Sequence, residues 1–228
     1  MKKGIWSLIP DLDILMLLTR IRNLSFIIFD TEHGGWSYSD LPFPIQFLKA
    51  KNIESIIRIG SADQIVIQQA VDCNPDYVQV SGIESVNDYE ETLRKFSKKP
   101  YGSRGFSPWS YNSIFKDSEM SPKLILQVES ETAINSVMNL KSEIKEKVEH
   151  IFLGRYDLSA SLGLEGQLTN SLVSKKVDKI YDYCVKNSIS ISTVCTDVFE
   201  FEKFRELSFD MLSVSSDRQV ILNGLQSL

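Results

Sequence analysis

The chain has 228 residues, 43% of them hydrophobic and 24% charged, with a net charge of −5 and a pI near 5.2. This composition excludes a largely disordered chain and supports a core that needs no staples. The acidic balance argues against a nucleic acid or an anionic membrane surface as partner. Cys73, Cys184 and Cys195 have no metal-like spacing and read as free thiols of a reducing, cytoplasmic compartment. The apolar run at residues 4–10 is broken by Pro10 too soon for a signal sequence, and no later stretch reaches the length of a membrane span. One domain over residues 1–228 is expected.

Short β-rich runs alternate with longer amphipathic ones. Strands are predicted over residues 5–8, 25–30, 55–59, 77–80, 124–128, 150–154, 190–194 and 211–214. Helices are predicted over 11–21, 44–51, 62–71, 86–96, 131–140, 171–186, 198–207 and 218–225. Most strand segments are near-continuous apolar runs, as in a parallel sheet covered by helices. Eight strand–helix units predict an α/β fold, a (β/α)8 TIM-type barrel. A doubly wound open sheet shares the alternation, but it carries fewer strands and a glycine-rich phosphate loop that is absent here. Residues 97–121 form the longest irregular stretch. With Arg104, Phe106, Trp109 and Tyr111 it suits an entrance wall, a subunit contact or simple packing.

In such a barrel the active site sits where the strands end. Reading only those ends collects ionisable residues. Asp30, Glu32 and His33 follow the second strand, and Arg58 lies near the end of the third. Asp72 closes the helix before the fourth, Gln127 and Glu129 end the fifth, and Gly154, Arg155, Tyr156 and Asp157 follow the sixth. Glu129 and Asp157 leave adjacent strands, so two carboxylates could share one hard divalent cation. Each could instead cap the helix that follows it. His33 is a candidate general base or a loop-orienting histidine. Arg58 stays charged inside an apolar strand and needs an anion, either a ligand or Asp30 or Glu32. His150 and Asp210 open strands on the opposite face and read as structural.

The segments FDTEHGGWS, SIIRIG, YGSRGFS, LQVESETA and FLGRYDLSASLG, in this order, resemble the HpcH/HpaI family of class II, metal-dependent pyruvate aldolases, relatives of the citrate lyase β-subunit. The resemblance implies a phosphoenolpyruvate/pyruvate-domain-like (β/α)8 barrel that assembles as a homo-oligomer, a hexamer or trimer, commonly by swapping its last helix. It implies Glu129 and Asp157 as ligands of Mg²⁺ or Mn²⁺, with Co²⁺ a further candidate. His33, Arg58 and Asp72 become the catalytic residues, with Asp72 partnering the histidine through water. Arg58, Gln127, Gly154, Arg155 and Tyr156 become the substrate contacts. The implied reaction is reversible cleavage of a 4-hydroxy-2-oxo acid into pyruvate, or a related 2-oxo acid, and an aldehyde, through a metal-stabilised enolate. No Schiff-base lysine is required, and no predicted strand end presents one.

The sequence departs from the family pattern at three places. Arg155 stands where the family has proline, Ser81-Gly82 replaces a proline-containing turn, and Cys73-Asn74 replaces Gly-Ala. These departures leave open an acyl-CoA lyase of the citrate-lyase-β type, or a non-catalytic barrel that acts as a binding subunit.

Overall fold

The computed structural model describes residues 1–115 and 122–228. Its strands are β1 (Lys2–Ser7), β2 (Phe26–Asp30), β3 (Glu54–Ile59), β4 (Tyr77–Val80), β5 (Lys123–Val128), β6 (His150–Leu153), β7 (Ser190–Val194) and β8 (Met211–Ser216). They pair in parallel, in chain order, and β8 returns to β1 to close the barrel. The helices are α1 (Leu12–Leu18), α2 (Pro42–Lys49), α3 (Gln64–Asp72), α4 (Val86–Phe96), α5 (Tyr111–Ile114), α6 (Glu131–Met138), α7 (Ser142–Lys145), α8 (Arg155–Ser161), α9 (Ser171–Lys186), α10 (Val198–Glu206) and α11 (Asp217–Gln226). The expected (β/α)8 barrel is the fold. Among the described residues no helix is long and apolar enough to cross a membrane.

Two apolar layers explain why the strands read as unbroken runs. Outward residues such as Ile27, Phe29, Ile57, Val78, Leu126 and Ile151 pack under the helices. Inward residues Phe26, Ile28, Ile56, Tyr77, Ile125, Phe152 and Met211 fill the barrel, with Trp6 and Val194 against them. Every position of β2 is therefore buried. Side chains on one face of a strand recur every second residue. Two residues beyond Ile28, Ile56, Tyr77 and Ile125, the inward positions become Asp30, Arg58, Gln79 and Gln127. Strand pairing sets Asp30 beside Arg58 and Arg58 beside Gln79. A polar layer thus lies on top of an apolar floor.

Some boundaries differ from the sequence-based ones for identifiable reasons. α1 stops at Leu18, and the chain then turns through Asn23 in the left-handed region at φ 60°. α2 starts at Pro42 rather than residue 44, with the proline at the first helical turn where its missing N–H costs nothing. α8 is not among the predicted helices; Gly154 gives it no side-chain cap and it is only seven residues long. The described part of the 97–121 segment, residues 97–115, follows α4 and lies where the strands begin, away from their carboxyl ends. Arg104 there is buried, donates from Nε to the Phe96 carbonyl at 2.7 Å and stacks on the Phe96 ring, which is a packing role. Tyr101, Phe106 and Trp109 are exposed. Residues 116–121 of that segment lie outside the described residues.

At the strand-start end, His150 is buried 2.5 Å from Ser192 Oγ, edge-on to the Tyr77 ring. Burial lowers its pKa to about 4; the charges of Lys2 and Lys123 add to this and Asp210 opposes it. The unfolded chain therefore binds a proton near pH 6.5 that the folded chain refuses until about pH 4. Stability is expected to fall by about 3 kcal/mol as pH drops through this window. His150→Gln should flatten the dependence, as read from urea midpoints at acidic and neutral pH.

Candidate active site

The polar layer opens into a cavity of about 640 Å³ at the carboxyl ends of the strands. Asp30, His33, Arg58, Gln127, Gly154, Arg155, Tyr156 and Asp157 line it, with Trp6 and Phe152 below and Thr196, Ser213 and Ser215 opposite. No lysine is among the lining residues.

Arg58 is gripped by protein carboxylates. Its Nε donates to Asp30 Oδ1 at 3.0 Å and its NH2 to Asp30 Oδ2 at 2.5 Å, while NH1 lies 3.3 Å from Glu32 Oε2. The guanidinium also lies over the Trp6 ring, 4.6 Å from its centroid, and Trp6 is fixed by donating to Ser213 Oγ. Burial alone would raise the Asp30 pKa. Arg58, with the Glu32 and His33 backbone N–H groups, outweighs it and holds the carboxyl below its usual range. The charged knot that ends β2 is therefore a built anchor: Asp30 orients Arg58 on one side and starts the His33 loop on the other. His33 itself is exposed at the cavity rim.

Glu129 is held by two hydrogen-bond donors. Its Oε1 accepts the Gly82 N–H at 2.9 Å, and its Oε2 accepts Gln127 Nε2. Gln127 Oε1 in turn accepts Gln79 Nε2 at 2.5 Å, so a chain of buried amides aims the carboxylate. Gly154 is required beside it: a Cβ there would sit 2.9 Å from Glu129 Cβ and 3.2 Å from both Glu129 Oε2 and Gln127 Nε2. Burial, then the negative charges of Asp157 and Glu32, raise the Glu129 pKa against the two donors. The capping alternative does not apply to Glu129, because Ser130 caps α6 by accepting from Ala133 N–H. Asp157 sits in the first turn of α8, exposed at the cavity.

Two of the expected site residues have side chains that do not face the open cavity of this chain. Arg155 borders the cavity, but its guanidinium is 2% exposed and spent on Glu200, so it is not free to meet a substrate. Asp72 is the last residue of α3, which runs back down the outside of the barrel. It accepts from Gln68 Nε2 at 2.9 Å and does not join His33 at the cavity of its own chain. Gln79, Ser81 and Glu200 were missed. Gln79 had a signal, a lone amide inside the apolar run YVQV. Ser81, whose hydroxyl donates to Glu32 at 3.0 Å, had only its place in an unusual turn, and Glu200 had no signal, since their partners are distant in sequence. All three cysteines are buried and unpaired with thiol pKa values pushed up to about 12 by burial, so none is primed as a nucleophile.

The profile of the HpcH/HpaI aldolase/citrate lyase family matches residues 18–224. The chain belongs to that family. Carbon–carbon lyase chemistry comes with this membership. A 5-keto-4-deoxy-D-glucarate aldolase of Klebsiella pneumoniae is 20% identical over 215 residues, 91% of this chain and 83% of that protein. A Burkholderia cenocepacia family structure superposes with TM-score 0.88 at 19% identity, covering 99% of this chain and 92% of that one. The citrate synthase SbnG superposes with TM-score 0.85 at 20% identity, covering 99% and 90%. At these identities the structures share the fold with this HpcH/HpaI member.

Proposed function

We propose that this chain is a divalent-metal-dependent aldolase that reversibly cleaves a 4-hydroxy-2-oxo acid into pyruvate, or a related 2-oxo acid, and an aldehyde. The observation that carries the reading is Glu129, a carboxylate aimed by donors and crowded by Asp157 and Glu32, with no ion-pair partner among the described residues. Burial first, and then the negative charges of Asp157 and Glu32, raise its pKa, and a cation bound there would offset both. Among the described residues no group of three acidic, histidine or cysteine side chains is arranged as a full ligand set. Glu129 and Asp157 would hold the ion, Mg²⁺, Mn²⁺ or Co²⁺, and leave positions open to substrate and water. When bound, such an ion supplies Lewis acidity to the oxygens of a chelating 2-oxo acid.

The chain's own residues supply the rest. Arg58, immobilised by Asp30, presents a fixed positive charge where the 2-oxo oxygen becomes negative as C3 loses a proton. His33, on the loop that Asp30 organises, takes the role of base at C3. The backbone N–H groups of Arg155 and Tyr156, at the start of α8, would face the substrate carboxylate, while that of Gly154 is bonded to the Val128 carbonyl at 2.9 Å. Trp6 and Phe152 close the floor against water. Thr196, Ser213 and Ser215 form a hydroxyl wall suited to a hydroxylated aldehyde, in keeping with relatives named 5-keto-4-deoxy-D-glucarate aldolase. Homo-oligomerisation belongs to the same reading, since α11 leaves Val220, Ile221, Leu222 and Leu225 exposed.

A panel of 4-hydroxy-2-oxo acids, assayed for pyruvate release with Mn²⁺ and with chelator, tests the proposal. Metal-dependent release supports it. Turnover only with CoA esters favours the acyl-CoA lyase, and no turnover with either class favours a binding subunit. Gln127→Leu removes the donor to Glu129 while keeping bulk, and should weaken Mn²⁺ binding ~10–100-fold by calorimetric titration.

A further inference from the structure

Arg155 is the first residue of α8, and its side chain, 2% exposed, cannot shed its charge, so it needs an anionic partner even though its Nε finds none. Glu200, in the first turn of α10, accepts from NH1 at 2.9 Å and from NH2 at 2.5 Å. NH1 also donates to the Val194 carbonyl at 3.0 Å, and the Phe204 ring lies 5.1 Å from the guanidinium carbon. Glu200 Oε2 further accepts the Thr196 N–H at 3.0 Å and the Thr196 hydroxyl at 2.8 Å. Val194, Thr196 and Glu200 together span the whole connection from β7 into α10. One side chain therefore ties the β6–α8 turn to the β7–α10 loop, and both border the cavity.

Besides the Gly154 N–H bond to the Val128 carbonyl at 2.9 Å, the β6–α8 turn has no side-chain cap of its own, and α8 is only seven residues long. Yet this turn must hold Gly154 against Glu129 and Gln127, and must set Asp157 two residues further on. Proline at such a first helical position would preset φ through its ring. Arginine lacks that restraint and anchors the turn through its side chain instead.

We propose that Arg155 and Glu200 are positioning residues: their buried pair sets Asp157 at the distance from Glu129 that binds the cation. The proposal rests on the reading that Glu129 and Asp157 share that cation. It assigns neither the Arg155 guanidinium nor the Glu200 carboxylate a contact with substrate.

The test is Mn²⁺ affinity of the full-length chain, read from the electron paramagnetic resonance of free Mn²⁺, together with hydrogen exchange of residues 154–158. The variants are Arg155→Met, Glu200→Gln, the apolar double replacement R155M/E200L and E129Q. The double replacement guards against loss of fold, because replacing both members of a buried pair with apolar side chains is often neutral or stabilising. The expected result is Mn²⁺ binding ~10–100-fold weaker in Arg155→Met and in the double replacement, with faster exchange at 154–158 and a melting temperature in the double replacement no lower than that of the unmodified chain. Unchanged Mn²⁺ affinity in R155M/E200L, with E129Q impaired, would overturn the positioning role alone. Failure of the unmodified chain to bind Mn²⁺, or binding by E129Q as tight as by the unmodified chain, would overturn the shared-cation reading and this proposal with it.

Discussion

Glu129→Gln is expected to abolish cation-dependent turnover while leaving the metal-free protein at least as stable as before. The substitution keeps an acceptor for the Gly82 N–H, so the β4 turn stays tethered, at the cost of the bond that Glu129 accepts from Gln127. It removes a charge that burial, Asp157 and Glu32 all disfavour. Without metal, that relief should raise the melting temperature rather than lower it, as expected where a strained group is retained for function. A lost Lewis acid is worth several kcal/mol of transition-state stabilisation, so the rate of pyruvate release should fall ~10³-fold or more. Differential scanning fluorimetry with and without Mn²⁺ gives the complementary reading. The unmodified chain should gain stability on adding metal, by mass action, and Glu129→Gln should gain none. A melting temperature lowered by Glu129→Gln in metal-free buffer would show that the carboxylate serves the fold instead.

Arg58→Ala is the second large effect, and it reaches both stability and rate. Asp30 is 1% exposed and keeps its charge because Arg58 binds both of its oxygens. Removing the arginine leaves a buried carboxylate with only two backbone donors, at a cost of about 3–5 kcal/mol. The pH dependence separates this from simple loss of packing. In the unmodified chain the folded pKa of Asp30 lies below its ordinary value. Its contribution to stability is thus present above the ordinary carboxylate range and lost as pH falls through the folded pKa. In Arg58→Ala, burial acts with the arginine gone and raises the folded pKa. The folded state then takes up a proton first, and the variant recovers stability as pH falls. The gap between the two urea midpoints should therefore narrow from neutral to mildly acidic pH. A constant gap would mean that Asp30 does not carry the effect. Arg58→Lys keeps a charge without the two-pronged grip, and pyruvate release should slow ~10²–10³-fold, as on losing an oxyanion donor.

The fold was legible because its signals are local. Continuous apolar runs such as FIIF and SIIRI report burial on both faces of a strand, and the helices between them carry amphipathic spacing. α8 escaped because Gly154 offers no cap and the helix is short. The site was legible where chemistry and position coincide along the chain, as at Asp30, Arg58 and Gln127, which follow inward apolar residues by one strand period. It was illegible where a partner lies far away in sequence. Arg155 reads as a cavity cation until Glu200, 45 residues on, is seen to occupy it. Asp72 reads as a partner of His33 until α3 is seen to carry it away from the strand ends. Ser81 stands in an unusual turn, and only the fold shows its hydroxyl on Glu32.

Loss of pyruvate methyl protons to deuterated water, followed by proton resonance with pyruvate as sole substrate, reports enolisation with no aldehyde required. The unmodified protein should exchange these protons with Mn²⁺ or Mg²⁺ present, stop when a chelator strips the ion, and resume when the ion is restored. Exchange that continues undiminished in chelator, or that Glu129→Gln performs as fast as the unmodified chain, would contradict the account at its root.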